Sequence, residues 1–175
     1  EISFAGGRTV YDTLNQSLFT PVPIFVDSHR NWVLLDWEYV YKGSIRDFYP
    51  PVAALPDSVN NFQIYGESLG TSSQDDQVKM LEAIGQPIAP EAISEHIDVA
   101  FLALHGIYGE DGELQRQLEE LQIPYTGSGA QASEIGMDKA LQKELMQQKG
   151  FACPEVQKLT RSEWLTADVH QLYAQ

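Results

Sequence analysis

Eight consecutive residues, from His105 to Gly112, bring together an imidazole, two carboxylates and three glycines. The apolar run from Val99 to Leu104 leads directly into them and is typical of a strand buried on both faces of a parallel sheet. Ligands of open α/β sheets bind beyond the carboxyl ends of the strands, so we expect His105 and Glu110 to border a binding site. A carboxylate beside an imidazole is suited to orienting a small polar substrate, for example by pairing with an ammonium group.

The same loop also has a purely structural interpretation. Asp111 is suited to capping a helix, and His105 alone is compatible with a half-buried structural histidine. Gly106, Gly109 and Gly112 permit tight turns and the close approach of a ligand. Three glycines around a histidine and a glutamate are difficult to explain by packing, so the loop as a whole favours the binding-site hypothesis.

A second glycine-rich segment, Gly127 to Ala132, matches the G-x-G-x-x-A pattern of dinucleotide-binding folds. Residues 123–125 before it are short for a first Rossmann strand, and no clear acid closes a second strand about 20 residues later. We therefore favour a simple turn at a helix start, with a nicotinamide-dependent oxidoreductase as a further hypothesis. Lys139, taken alone, is interpreted as a solvated lysine next to a capping Asp138.

The elements that must position these residues follow from apolar periodicity and from turn residues. We predict strands at Phe19–Val26, Trp32–Leu35 and Ile97–Leu104, the first two forming a hairpin or a strand with its extension. Predicted helices cover 2–14, 76–84, a stretch from about 111 to 121, 129–135, 138–149 and a last one that starts at the capping box Thr160–Glu163. This order predicts an α/β fold with an open, mostly parallel sheet flanked by helices.

Two further features concern the organisation of the chain. Residues 44–75 are rich in proline, glycine and serine, which predicts an irregular and mobile insertion with at most one short strand near 62–65. A domain boundary is predicted near Gly150, which also suits the end of a helix.

Composition limits the classes of partner. The chain has 175 residues and a formal net charge of −14, from 11 basic and 25 acidic residues. Nucleic acids and anionic membrane surfaces are poor partners for such a field. Cys153 is the single cysteine, so no intrachain disulfide is possible, as expected in a reducing compartment. No apolar run approaches the roughly 20 residues that span a bilayer.

Three segments together resemble the D-alanine–D-alanine ligases of the ATP-grasp superfamily. They are the signature from His105 to Gln115, the run L-E-E-L-Q-I-P-Y-T-G-S at 118–128, and the M-D-K that ends at Lys139. The start, Glu1-Ile2-Ser3, is similar to the family's Glu-Val-Ser segment. The resemblance covers nearly the whole chain except about residues 40–95.

The resemblance implies an enzyme that joins two D-alanines with ATP and magnesium through an acylphosphate, for peptidoglycan synthesis in the bacterial cytoplasm. His105 and Glu110 match the wall of the D-alanine site, and Lys139 matches a lysine that contacts the ATP phosphates. Residues 1–149 would form an N-terminal, Rossmann-like substrate domain, and 150–175 would begin the central ATP-grasp domain. The family forms homodimers through its N-terminal domain.

The chain also departs from the family pattern. The family's catalytic acid and first strand would precede Glu1, so we assign no catalytic residue, and we interpret Ser3 as a helix cap. Arg116 stands where a small residue is usual and is expected to alter packing under the loop. The metal ligands would follow Gln175, so we expect residues 1–175 alone to be inactive. D-Alanine–D-lactate ligase activity, or a non-catalytic binding or assembly module, are the alternatives.

Overall fold

The computed structural model describes residues 2–27, 29–41 and 74–167. The predicted strand near 62–65 and nearly all of the predicted insertion at 44–75 lie outside these residues. The last two positions of that insertion, 74 and 75, are helical and do not belong to an irregular segment.

The first helix, α1 (Ile2–Thr13), agrees with the predicted one. Its Phe4 and Tyr11 pack against a cluster of buried residues from the sheet and two other helices, namely Val33, Leu35, Val40, Leu81 and Ile84. A methyl group on Gly7 would lie 3.7 Å from the Cβ atom of Ala103, an ordinary contact. Helix α1 therefore lies beside the chain that leads into the glycine loop.

Three strands form an antiparallel sheet in the order β1 (Ile24–Val26), β2 (Trp32–Leu35) and β3 (Gly85–Ile88). The predicted hairpin of the first two strands is confirmed, but β1 has only three residues because regular pairing starts after the two prolines of its segment. Strand β3 is not predicted by the sequence pattern, since its Pro87 is typical of loops and of edge strands, which is where β3 lies.

The predicted mostly parallel sheet is wrong for the residues that the structure describes. Of the predicted strand Ile97–Leu104, only Ala100 forms a β-bridge, which is parallel and involves Tyr125. The predicted burial on both faces is also wrong, because Val99 is 48% exposed and Phe101 59% exposed. Ile97, Ala100, Leu102 and Leu104 pack against the core but are only partly buried, so a continuous apolar run does not establish that both faces are covered.

The remaining predicted helices lie close to the predicted positions, and the structure adds two that the sequence does not predict, at 37–41 and 90–95. In chain order, these helices are α2 (Trp37–Tyr41), α3 (Gln74–Glu82), a 3₁₀ helix (Pro90–Glu95), α4 (Glu113–Glu120), α5 (Ala130–Met137), α6 (Lys139–Gln148) and α7 (Arg161–Thr166). Asp138 caps α6 by accepting hydrogen bonds from two backbone N–H groups, and Thr160 forms the predicted capping box with Glu163. Among the described helices, none has the length and apolar character needed to cross a membrane.

A second buried cluster lies directly beneath the glycine loop. Its members come from β2, the 3₁₀ helix, the loop and the chain around α4, namely Trp32, Ile93, Tyr108, Leu114, Leu118 and Ile123. The spacing of Leu114, Leu118 and Leu121 predicts one apolar stripe on α4. This stripe is confirmed, because Leu114 and Leu118 are 3% and 1% exposed and Leu121 packs against the same cluster. Burying each leucine contributes about 2 kcal/mol, so this cluster anchors one side of the loop.

Candidate functional site

The glycine loop, residues 105–112, follows the bridged segment and leads into α4. Gly106, Tyr108 and Gly112 all have a left-handed backbone, with φ angles of 78°, 74° and 90°. The first half of the loop is closed by a backbone hydrogen bond of 2.9 Å from the N–H of Glu110 to the carbonyl of Gly106. This tight turn brings the two ends of the sequence His105–Glu110 together.

The two residues that the sequence singles out in this loop are in contact. His105 Nδ1 lies 3.6 Å from Glu110 Oε1, and their side chains are 54% and 50% exposed. The other carboxylate oxygen, Oε2, accepts a hydrogen bond of 2.6 Å from the N–H of Gly106. The pair is therefore fixed by the backbone on one side and accessible to a ligand on the other.

The carboxyl of Glu110 is ionised at neutral pH. The N–H of Gly106 is the main cause that lowers its pKa, partial burial opposes this, and His105 and the charge of Lys139 lower the pKa further. The influence of Lys139 on this pKa is the smallest of these causes and is exerted by its charge alone. The Lys139 ammonium, in the first turn of α6, also donates to the carbonyl of Gly136.

Two of the three loop glycines are explained by packing, which corrects the interpretation given by the sequence. A Cβ atom on Gly109 would lie 2.6 Å from the Cβ atom of Leu104 and 2.8 Å from its carbonyl carbon. A Cβ atom on Gly112 would lie 2.4 Å from the carbonyl oxygen of Ala130. Gly106, with no atom within 4 Å of such a Cβ, is the glycine that leaves space for a ligand.

The N-cap of α4 is Gly112, so the prediction that Asp111 caps this helix is wrong, although Asp111 does have a structural role. Its carboxylate accepts hydrogen bonds from the backbone N–H groups of Tyr108 at 2.7 Å and Glu113 at 3.0 Å. Burial acts to raise the pKa of Asp111, but these N–H groups, its own N–H and the charge of Arg30 together outweigh burial, and the pKa is lowered. The acid organises the loop and the start of α4.

Two other interpretations are wrong. Ser3 does not cap α1, because it lies inside the helix and its hydroxyl accepts a hydrogen bond of 3.0 Å from the N–H of His105. Arg116 does not pack under the loop; its half-exposed guanidinium forms a 2.9 Å ion pair with Glu134 on α5.

The second glycine-rich segment is a helix-start turn, as favoured by the sequence. The Glu119 carboxylate accepts hydrogen bonds from the N–H of Ala130 at 3.1 Å and from the Tyr125 hydroxyl at 2.5 Å. A carboxylate of the chain itself thus occupies the start of α5, where a dinucleotide fold would bind a pyrophosphate. This geometry does not favour a nicotinamide site.

Sequence patterns miss the side chains that hold the loop from below. Trp32 Nε1 donates a hydrogen bond of 3.1 Å to the Tyr108 hydroxyl, which donates one of 2.8 Å to Gln117 Oε1. Gln115, 4% exposed, donates from Nε2 to the carbonyl of Gly109 at 2.7 Å. An apolar residue every three or four positions predicts α4 but cannot predict these polar contacts.

Metal-ligating side chains do not cluster at this site. Within residues 2–27, 29–41 and 74–167, no group of three or more histidine, cysteine, aspartate or glutamate side chains is arranged to hold a metal ion.

Comparison with known proteins identifies relatives of the chain. Residues 1–128 match the family described as D-ala D-ala ligase N-terminus. A protein of Geobacillus thermodenitrificans named D-alanine–D-alanine ligase is 30% identical over 94% of this chain and 40% of its own length. The protein of that name from Chlorobium chlorochromatii is 33% identical over 94% of this chain and 42% of its own length.

A solved structure shows the same relationship. The D-alanine–D-alanine ligase from Coxiella burnetii superposes with a TM-score of 0.62 and 25% identity, over 99% of this chain and 44% of the other. The chain therefore spans less than half the length of these relatives.

Proposed function

Because the chain belongs to the D-alanine–D-alanine ligase family, we propose that it is the substrate-binding part of an enzyme that joins two D-alanines with ATP. The observation that carries this proposal is the accessible His105–Glu110 pair, whose Nδ1 and Oε1 atoms lie 3.6 Å apart. An ionised carboxylate suits the ammonium group of an amino acid, and a lysine suits a phosphate.

In the proposed reaction, the carboxylate of the first D-alanine attacks the γ-phosphate of ATP, forming an acylphosphate and releasing ADP. The amine of the second D-alanine then attacks the acyl carbon, and inorganic phosphate leaves. Glu110 and His105 would orient an amino acid, and Lys139 would bind the phosphates. Catalysis of this kind depends largely on positioning and charge neutralisation. Magnesium belongs to the proposal through family resemblance only, and no step is assigned to it.

The finer organisation is also a proposal. Residues 1–149 would form the Rossmann-like substrate domain and residues 150–175 the start of the ATP-grasp domain. The product would serve peptidoglycan synthesis in the cytoplasm, and a homodimer is proposed from the family. The excess of acidic residues supports the absence of nucleic-acid and membrane partners.

The test uses the full-length gene product with ATP, magnesium and D-alanine. ADP release measures turnover, and product mass separates the dipeptide from the depsipeptide that D-lactate would give. We expect His105→Ala and Glu110→Gln to raise the KM for D-alanine by about 10- to 100-fold, because each removes a contact to a charged group. The KM for ATP should change less.

Glu95→Gln is the matched control, because Glu95 is an exposed glutamate on the 3₁₀ helix. Lys139→Met should show the opposite pattern, with the larger effect on the KM for ATP. The absence of turnover with both D-alanine and D-lactate would refute the assignment. Equal loss of D-alanine and ATP use in His105→Ala would refute the placement of this loop on the amino-acid side.

A further inference from the structure

The Tyr108 hydroxyl is one of the groups that attach the loop carrying His105 and Glu110 to the core. Tyr108, 9% exposed, accepts a hydrogen bond from the indole N–H of Trp32 and donates one to Gln117. Trp32 belongs to β2 and Gln117 to α4. The Tyr108 hydroxyl therefore joins the sheet, the loop and the helix that follows it.

Tyr108 lies at the centre of the turn that forms the site. Two hydrogen bonds link the ends of this turn, one from the N–H of Glu110 to the carbonyl of Gly106 at 2.9 Å, and one from the N–H of Gly106 to Glu110 Oε2 at 2.6 Å. Because Gly106 and Glu110 are each two residues from Tyr108, a rotation of Tyr108 would displace both partners of the carboxylate contact.

The backbone of Tyr108 needs such an anchor. Its φ of 74° is unfavourable for a residue with a side chain, and it persists only where surrounding contacts hold it. The Arg30 guanidinium lies 5.2 Å from the centre of the Tyr108 ring and pairs with Glu113, which holds the ring from the outside. Burial raises the pKa of Tyr108, so the hydroxyl stays protonated and able to donate.

We propose that Trp32 and Gln117 are positioning residues that act through the Tyr108 hydroxyl to fix the Glu110 carboxylate for its amino-acid ligand. The identity of that ligand rests on the proposed function, whereas the positioning of the carboxylate does not. A role limited to core packing would lower stability without moving Glu110 or changing the KM for one substrate selectively.

The main experiment is Tyr108→Phe in the full-length gene product, which removes the hydroxyl and keeps the ring. We expect the amide proton resonance of Gly106 to shift in NMR spectra, because its hydrogen bond to Glu110 is disturbed. The KM for D-alanine should rise roughly tenfold because even a small misplacement of a binding group weakens binding, and the KM for ATP should stay within about twofold of the wild-type value.

Tyr41→Phe is the matched control. Tyr41 also donates its hydroxyl to an acceptor 2.7 Å away, but that acceptor is Asp12. Asp12 is nine positions along α1 from Ser3, which contacts the loop, a distance of about 13 Å along the helix axis. Neither the Gly106 amide resonance nor the KM for D-alanine should change in this variant.

A second pair of variants guards against a folding defect in Tyr108→Phe. Gln117 is only partly buried, so Gln117→Met removes the acceptor with little loss of packing. Gln117→Glu restores an acceptor oxygen at the same place and should recover the wild-type Gly106 resonance and KM. Recovery by glutamate but not by methionine supports the proposal, and equal behaviour of the two variants overturns it.

The two readouts separate the two proposals. If the wild-type protein does not use D-alanine, the proposed function fails, and the Gly106 resonance alone decides whether the hydroxyl positions Glu110. An unchanged resonance in Tyr108→Phe and Gln117→Met, in folded protein, overturns the positioning role whatever the enzyme activity. A shifted resonance with an unchanged KM for D-alanine also overturns the positioning role, because amino-acid binding would then not depend on where the Glu110 carboxylate lies.

Discussion

The chain contains two glycine-rich turns that lead into helices, and the structure gives them different properties. At the start of α5, the carboxylate of Glu119 already occupies the first backbone N–H group, that of Ala130. In the glycine loop before α4, Asp111 satisfies the corresponding backbone groups, and the His105–Glu110 pair is left half exposed. The turn before α5 is closed by a carboxylate of α4, whereas the glycine loop presents a polar pair to solvent.

This comparison teaches that glycine spacing alone does not identify a binding site. The segment Gly127–Ala132 matches a dinucleotide pattern, yet a carboxylate of the chain stands where a phosphate would bind. The loop before α4 needs Gly109 and Gly112 for packing, and its functional signal lies in its histidine and glutamate. The decisive feature is therefore which polar groups the fold leaves accessible to solvent.

The largest expected effect is on the free energy of unfolding, when one glycine in each turn is replaced by alanine. In Gly109→Ala, the new methyl would lie under 3.0 Å from three atoms of Leu104, two of them backbone. In Gly129→Ala it would lie 3.6 Å from Glu119 Oε1, which is ordinary contact, and the φ of −65° suits alanine. We expect a loss of about 1–3 kcal/mol in unfolding free energy for Gly109→Ala and less than about 0.5 kcal/mol for Gly129→Ala.

Chemical denaturation of the two full-length variants measures this difference. Equal stabilities would mean that the loop can move away from Leu104, and the packing explanation for Gly109 would then be wrong. A larger loss in Gly129→Ala than in Gly109→Ala would reverse the comparison between the two turns.

A smaller, pH-dependent effect on stability is expected from Glu119, whose carboxylate closes the turn before α5. The Tyr125 hydroxyl, and then the N–H of Ala130, lower the pKa of Glu119 below its ordinary 4.5. Because the folded pKa is the lower one, the stabilisation is present above pH 4.5 and is lost as the pH falls through the folded pKa. Glu119→Gln should therefore lower Tm at pH 7, by less than Gly109→Ala, and the difference from wild type should narrow in acid.

Glu120→Gln is the neighbouring control, because Glu120 is exposed on the same helix. Its Tm at pH 7 should stay close to that of the wild type. A Tm difference for Glu119→Gln that stays constant from neutral to acidic pH would show that the charge of Glu119 does not stabilise α5.

Local rules predict the elements whose signals lie within a few residues. The cap of α6 by Asp138, the capping box of α7 and the apolar stripe of α4 are all confirmed. The contact between His105 and Glu110 is also local, since only four residues separate them and the glycines favour a turn.

Features that depend on distant partners are not predicted. Strand β3 forms because its backbone pairs with β2, and its own residues, which include Pro87, give little sign of a strand. The hydrogen bond between Trp32 and Tyr108 joins residues 76 positions apart. The role of Ser3, which accepts from the backbone of His105, likewise follows only from the packing of α1 beside the loop.

The smallest expected effect concerns the ion pair between the helices that follow the two turns. Arg116 on α4 and Glu134 on α5 lie 2.9 Å apart, but their side chains are 50% and 63% exposed. Solvent screens such pairs, so Arg116→Ala should cost only about 0–1 kcal/mol, with a smaller loss at high salt. A double-mutant cycle with Glu134→Ala measures the coupling. A coupling well above 1 kcal/mol would mean that this ion pair, more than the packing of Gly112 against Ala130, holds the two turns together.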